Sequence, residues 1–93
     1  MEIQHVHDDS KGLFFVEVNG ERLAAMTYRM SGPTKLIIDH TEVSDKLAGK
    51  GIGKQLVAKA VEYAREHKIK ILPLCPFAAA IFEKVKEYED VLF

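Results

Sequence analysis

The chain turns on Leu47-Ala48-Gly49-Lys50-Gly51-Ile52-Gly53-Lys54. Three glycines alternate there with two lysines close by. An extended apolar run over residues 36–43 leads in, and a helical pattern beginning near Ile52 leads out. Glycine lacks a Cβ, so such a loop can turn tightly and let a ligand approach the backbone. The helix that follows offers free N–H groups and its positive dipole end to an anion. Strand, glycine loop and helix N-terminus together make a phosphate or pyrophosphate site. The plainer reading is a tight strand-to-helix turn with no ligand, but three glycines and two lysines exceed what a turn needs.

Upstream of the loop the chain reads as an antiparallel meander. Residues 3–7 are short and β-like, and Asp8-Asp9-Ser10-Lys11-Gly12 breaks them. Over 13–18, Phe14, Val16 and Val18 alternate against Phe15 and Glu17. Asn19-Gly20 is a strong hairpin signal, with 22–30 as the returning strand. After the Ser31-Gly32-Pro33-Thr34 turn, 35–43 form a fourth strand. Strict alternation puts Leu36, Ile38 and His40 on one face and Ile37, Asp39 and Thr41 on the other.

Downstream, Gly53, Leu56, Val57, Ala60, Val61 and Ala64 form one helical stripe, while Lys59, Glu62, Arg65 and Glu66 face water. Residues 69–74 are nearly all apolar, as buried central strands often are. A right-handed crossover would lay them parallel to 35–43. Pro76 suits the first turn of a second helix, striped by Ala78, Ile81, Phe82 and Val85. Residues 88–93 carry no assignable pattern. The expected fold class is α/β with a mixed sheet: four antiparallel strands, a helix, a parallel fifth strand and a C-terminal helix.

Composition sets the bounds. The 93 residues make one domain, expected over 1–93. Apolar content of 47% and charged content of 29% are an ordinary globular balance. A net charge of −1 argues against broad nucleic-acid or membrane-surface binding. The single cysteine cannot form an internal disulfide and fits a reducing, cytoplasmic location. No apolar run approaches a membrane span and no signal peptide is expected at the N-terminus. A monomer or weak homodimer is expected.

Two common glycine motifs fail. A nucleotide triphosphate loop needs glycine where Ala48 stands and Ser or Thr where Gln55 stands. A dinucleotide fingerprint counted from Gly49 needs glycine where Lys54 stands. Ala48-Gly49-Lys50-Gly51-Ile52-Gly53 instead resembles the acyl-CoA-binding segment of the GCN5-related N-acetyltransferases, Gln/Arg-x-x-Gly-x-Gly/Ala between a fourth strand and a helix. Ala48 replaces the usual first Gln or Arg. The family's second segment, Asn-x-x-Ala-x-x-x-Tyr, is matched at Ala78 by Cys75-Pro76-Phe77-Ala78-Ala79-Ala80-Ile81-Phe82, with Cys for Asn and Phe for Tyr. The pairing of a Gly-Lys-Gly-Ile-Gly loop with a Cys-Pro-Phe turn is similar to a small, truncated, single-domain subfamily. The helices that commonly shape the acceptor site have no room here, because only residues 8–12 separate the first two strands.

The resemblance implies an acetyl-CoA-binding domain that transfers acetyl to an unknown amine, small molecule or protein. The alternative is a non-catalytic acyl-CoA-binding or protein-interaction module. Gly49, Lys50, Gly51, Ile52, Gly53 and Lys54 would bind the phosphates. Glu42, Val43 and Ser44 would line the pantetheine arm in a gap where the fourth and fifth strands splay, and a backbone amide there would polarise the thioester carbonyl. Lys50 and Lys54 could add charge-assisted contacts, or be simply solvated. The family's usual general acid is a tyrosine hydroxyl, which Phe82 cannot supply.

Cys75, at a strand end and a helix start, is the obvious substitute. It could take the acetyl group covalently or protonate the leaving thiol, or be an inert core cysteine. His40 is the best-placed imidazole for deprotonating an amine, with a hydrogen-bonded structural role as its alternative. His5 and His7 share a strand face without a carboxylate or cysteine cluster to complete a metal site, so they read as surface residues. His67 ends a helix, and Phe77, Ile81, Phe82 and Val85 read as core.

Overall fold

A computed structural model of the chain describes residues 2–93. The elements run β1 (Gln4–His7), β2 (Lys11–Val18), β3 (Glu21–Met30), β4 (Lys35–Val43), α1 (Ile52–His67), β5 (Lys70–Pro73) and α2 (Pro76–Lys84). Short 3-10 turns cover Asp45–Leu47 and Lys86–Val91. The sheet follows chain order, β1-β2-β3-β4-β5. The first four strands pair antiparallel and β5 joins β4 parallel, as expected.

Local chemistry explains the elements. Asn19 and Gly20 take φ of 52° and 80°, the paired positive values that a two-residue hairpin twisting with its strands requires. The helical stripe is buried as read: Gly53, Leu56, Val57, Ala60, Val61 and Ala64 all lie under the sheet with Ile52. They meet Phe14, Val16, Met26, Leu36 and Ile38 in one core. Each such aliphatic side chain stabilises the fold by about 1.5–3 kcal/mol. Cutting Leu56 to alanine should cost about 3 kcal/mol. Lys68, in the left-handed region, ends α1 by donating its N–H to Ala64 O.

Two strands depart from the sequence reading. β5 is not central: it forms an edge of the sheet, with Leu72 and Pro73 half-buried. Its apolar character has another cause. The C-terminal segment covers its outer flank, where Leu92 bridges Ile71 and the N–H of Phe93 donates to Ile71 O at 2.8 Å. The tail, which carries no sequence pattern of its own, is therefore a turn that returns to the sheet. Arg65 holds it through Asp90 at 2.8 Å and the Glu87 carbonyl at 2.7 Å.

Candidate functional site: the gap between β4 and β5

The register between β3 and β4 passes from Thr27↔His40 to Tyr28↔Ile38 and skips Asp39. An extra residue of this kind inverts the side-chain alternation beyond it. Leu36 and Ile38 point into the core, but after Asp39 it is Thr41 that faces the helices, paired with buried Met26. His40 turns to the opposite face, paired with exposed Thr27. The strict alternation expected from the sequence is thus corrected: His40 does not share a face with Leu36 and Ile38, nor Thr41 with Ile37.

The parallel pairing ends at the same level. Its last partners are Ile38 and Pro73. The N–H groups of Leu74 and Cys75 both converge on Ile38 O, at 3.1 and 3.3 Å. Beyond it, residues 39–43 of β4 have no parallel neighbour, so a gap opens. Ser44 N–H donates to Leu23 O at 2.7 Å. Backbone groups alternate sides along a strand, so the Val43 N–H is directed away from β3 and into the gap. On the helix side, Thr41 Oγ1 and Cys75 Sγ approach to 3.2 Å across the opening. Val43, Leu74 and Phe77 are exposed apolar side chains on the two flanking segments. A hollow of about 240 Å³ lies at the start of β3 and the end of β4, lined by Leu23, Ala25, Glu42, Val43 and Ser44 among others.

The glycine loop follows. Gly49 and Gly51 take φ of 77° and 67°, in the left-handed region that favours glycine. A Cβ built on either meets nothing within 4 Å. Gly53 differs: its Cβ would lie 2.3 Å from the Phe77 ring, so this glycine lets the two helix starts pack together. Gly51 caps α1 without a side chain, and the first intrahelical bond runs from Gln55 N–H to Gly51 O. The N–H groups of Ile52, Gly53 and Lys54 therefore have no intrahelical partner. No acidic residue stands in this first turn, and Lys50 and Lys54 are exposed beside it. The site's backbone donors, open glycines and cations fit an anionic diphosphate.

The other candidate residues are placed as follows. The Ser44 hydroxyl accepts the Lys46 N–H and caps the short turn after β4. Glu42 is exposed, its carboxylate 3.8 Å from His40 Nε2. Cys75 precedes α2 as its extended N-cap and is only 5% exposed. Phe82 is buried beside Tyr88, with ring centres 5.8 Å apart. Phe77, read as core, is instead exposed at 43% and lies over Gly53. Sequence reasoning missed Thr41. Its only signal was the loss of alternation from Asp39 onward, where four consecutive polar residues, Asp39-His40-Thr41-Glu42, interrupt an apolar strand.

A second histidine environment lies at the β1 edge. His5 stacks on Phe14 at 4.0 Å, meets Tyr63 edge-on at 4.7 Å and bonds the Tyr28 hydroxyl through Nε2 at 2.6 Å. His5 is therefore not the surface residue expected from sequence, whereas His7 is exposed. Burial, helped by His7 and His67, pushes the His5 imidazole down to about 4. Burial and Tyr63 push the Tyr28 phenol up. Among the described residues, no group of three or more His, Cys, Asp or Glu side chains could hold a metal ion.

A bulged strand that parts from a parallel neighbour and runs through a glycine loop into a helix defines an acetyltransferase-type α/β fold. The chain belongs to the family described as GCN5-related N-acetyl-transferase, whose profile matches residues 13–91. It is 34% identical to protein NATD1 of Gallus gallus over 74 residues, 78% of this chain and 67% of that one. It thus spans about two thirds of that relative's length. The solution structure of a GCN5-like protein from Staphylococcus aureus is similar throughout, with a TM-score of 0.77 and 39% identity over 99% of this chain and 87% of that one. A GNAT family acetyltransferase from Elizabethkingia anophelis, solved with acetyl-CoA bound, shares the fold at a TM-score of 0.58 and 22% identity, over 69% and 42% of the two chains.

Proposed function

We propose that the chain is a single acetyl-CoA-binding domain that transfers acetyl to an amine. The observation that carries this reading is the gap beyond Ile38, opened by the bulge at Asp39 and continuous in sequence with the open glycine loop. Gly49, Lys50, Gly51, Ile52, Gly53 and Lys54 hold the pyrophosphate through the free amides of α1 and two cations. The backbone of Glu42, Val43 and Ser44 flanks the pantetheine arm, and the Val43 N–H is the donor for the thioester carbonyl. Bound acetyl-CoA supplies an activated acyl group as a thioester.

The two sides of the gap divide the proton chemistry. His40, on the open side, accepts a proton from the amine at Nε2. Cys75, on the helix side beside Thr41, is the thiol placed to return one to a departing thiolate. In the net reaction a C–N bond forms, the C–S bond breaks, and the ammonium loses two protons, one to sulfur and one to solvent. A cytoplasmic setting suits a domain whose one cysteine is a free thiol. No helix among the described residues is long and apolar enough to cross a membrane.

A binding module without turnover is the second reading. The carbon-only Phe82 and the small exposure of Cys75 favour it. Mass spectrometry after incubation with acetyl-CoA separates the two, since an acetylated Cys75 or amine requires chemistry. Calorimetric titration tests the site itself. Acetyl-CoA should bind the wild type, and Gly51→Val and Lys54→Glu should each weaken it at least tenfold in folded protein. Unchanged affinity in both variants would remove the phosphate assignment.

A further inference from the structure

The open face of the sheet carries a continuous row of side chains. Val6 pairs with Leu13, Leu13 with Thr27, and Thr27 with His40. Paired residues share a face, so four side chains stand in line across β1, β2, β3 and β4. Neighbouring strands lie about 4.8 Å apart, which makes the row about 14 Å long. It begins at the free edge of the sheet and ends at the bulge that opens the gap. Its chemistry changes along the way. Val6 is 49% exposed and apolar, Leu13 is half-buried, Thr27 offers a hydroxyl, and His40 stands beside the Glu42 carboxylate. A groove of about 670 Å³ lies over the Val6, Leu13 and Thr27 part of the row, with Arg29 and Asp39 on its wall, and His40 stands beyond its lining. Both helices bury their apolar stripes against the opposite face, so neither helix covers this one.

This inference rests on the acetyl-transfer reading. The glycine loop enters α1 on the helix side, so a donor held there reaches the gap from that side. The amine must then arrive from the open side, where His40 stands. We propose that the row from Val6 to His40 is the acceptor track, and that the acceptor is a peptide with a free amino end followed by apolar residues. Its ammonium meets Glu42 and His40, a charge complement at one end of the row. Its apolar residues cover Leu13 and Val6 at the other. Extended peptide rises about 3.3 Å per residue, so the row accommodates about four residues. The Arg29–Asp39 pair, joined at 2.8 Å and exposed, flanks the middle with a donor and an acceptor for backbone groups. A small hydrophilic amine touches only the His40 end and leaves the apolar half wet.

The test measures thiol release from acetyl-CoA with three probes: the amide of Ala-Ser-Val-Leu, the amide of Ala-Ser-Asp-Asp, and spermidine. The apolar tetrapeptide should be used with kcat/KM at least tenfold above either of the others. Thr27→Arg, at an exposed position, should raise KM for that peptide about tenfold and leave acetyl-CoA affinity unchanged. Val6→Asp should raise it about threefold. Equal use of spermidine, or an unchanged KM in Thr27→Arg, overturns the track. Protein that binds acetyl-CoA and acetylates none of the three overturns the track while sparing donor binding. Protein that does not bind acetyl-CoA overturns both.

Discussion

Gly12 and Gly51 are both glycines near histidine-bearing strands, and they do opposite things. A Cβ on Gly12 would lie 2.6 Å from both His7 Cβ and the Tyr28 hydroxyl. A Cβ on Gly51 would meet nothing. The first glycine makes room for the protein's own side chains, at an end of the molecule where His5, Phe14, Tyr28 and Tyr63 satisfy one another. The second leaves room unfilled, at an end where backbone donors, exposed apolar side chains and two lysines lack partners among the described residues. The imidazoles follow the same division. His5 is half-buried with a phenol at 2.6 Å; the His40 side chain is 66% exposed with only a carboxylate at 3.8 Å. A filled region stabilises the fold, and an unfilled one is available for a ligand.

The sharpest way to break this contrast is to add a methyl group at each end. Gly12→Ala overpacks a filled site and should cost about 2–3 kcal/mol. That lowers Tm by roughly 10 °C or more in a domain of this size. Gly49→Ala adds only backbone strain, about 1 kcal/mol. Equal thermal losses in the two variants would erase the distinction.

Ligand addition probes the same contrast from the unfilled side. Acetyl-CoA at a hundred times its Kd should add about 2.7 kcal/mol to stability, because it binds only the folded chain. ATP or NAD at equal concentration should shift Tm less. A larger shift with ATP would point the glycine loop toward nucleotide triphosphates.

Acid should loosen the filled end. The folded pKa of His5, about 4, lies below its ordinary 6.5. The fold therefore favours the neutral ring. That contribution is complete above pH 6.5 and is lost as pH falls from 6.5 toward 4. Discounted for the exposed part of the ring, it amounts to roughly 1–2 kcal/mol. Urea unfolding at pH 7.5 and pH 5 should show a smaller difference in His5→Gln than in the wild type. The same difference in both proteins would place the acid sensitivity elsewhere.

The smallest expected effect is Arg29→Ala, which breaks an exposed ion pair and should change stability by less than about 0.5 kcal/mol. Its effect on peptide acceptor KM should be the more visible one.

Much of this was legible in the residues. The period-two stretches, Asn19-Gly20 and the α1 stripe reported the fold because each is a local pattern with one packing solution. The glycine loop was legible as a motif but not in its division of labour. Whether a missing Cβ makes room for Phe77 or for a ligand depends on a helix that starts more than twenty residues later. The bulge at Asp39 was not read, because register belongs to a pair of strands and not to either alone. That single extra residue moves His40 to the open face and brings Thr41 to Cys75. His5 was misread for a similar reason: its partners Tyr28 and Tyr63 come from β3 and α1, far along the chain. The apolar 69–74 stretch suggested a central strand because the returning C-terminus, which covers β5, carries no pattern of its own.

Residue-resolved titration with acetyl-CoA in solution tests the central claim most directly. Backbone amide signals of residues 49–54, Val43, Leu74 and Cys75 should shift and saturate together, while those of His5, Phe14, Tyr28 and Tyr63 stay in place. Shifts centred on the His5 cluster, or none at the glycine loop at saturating acetyl-CoA, would contradict it.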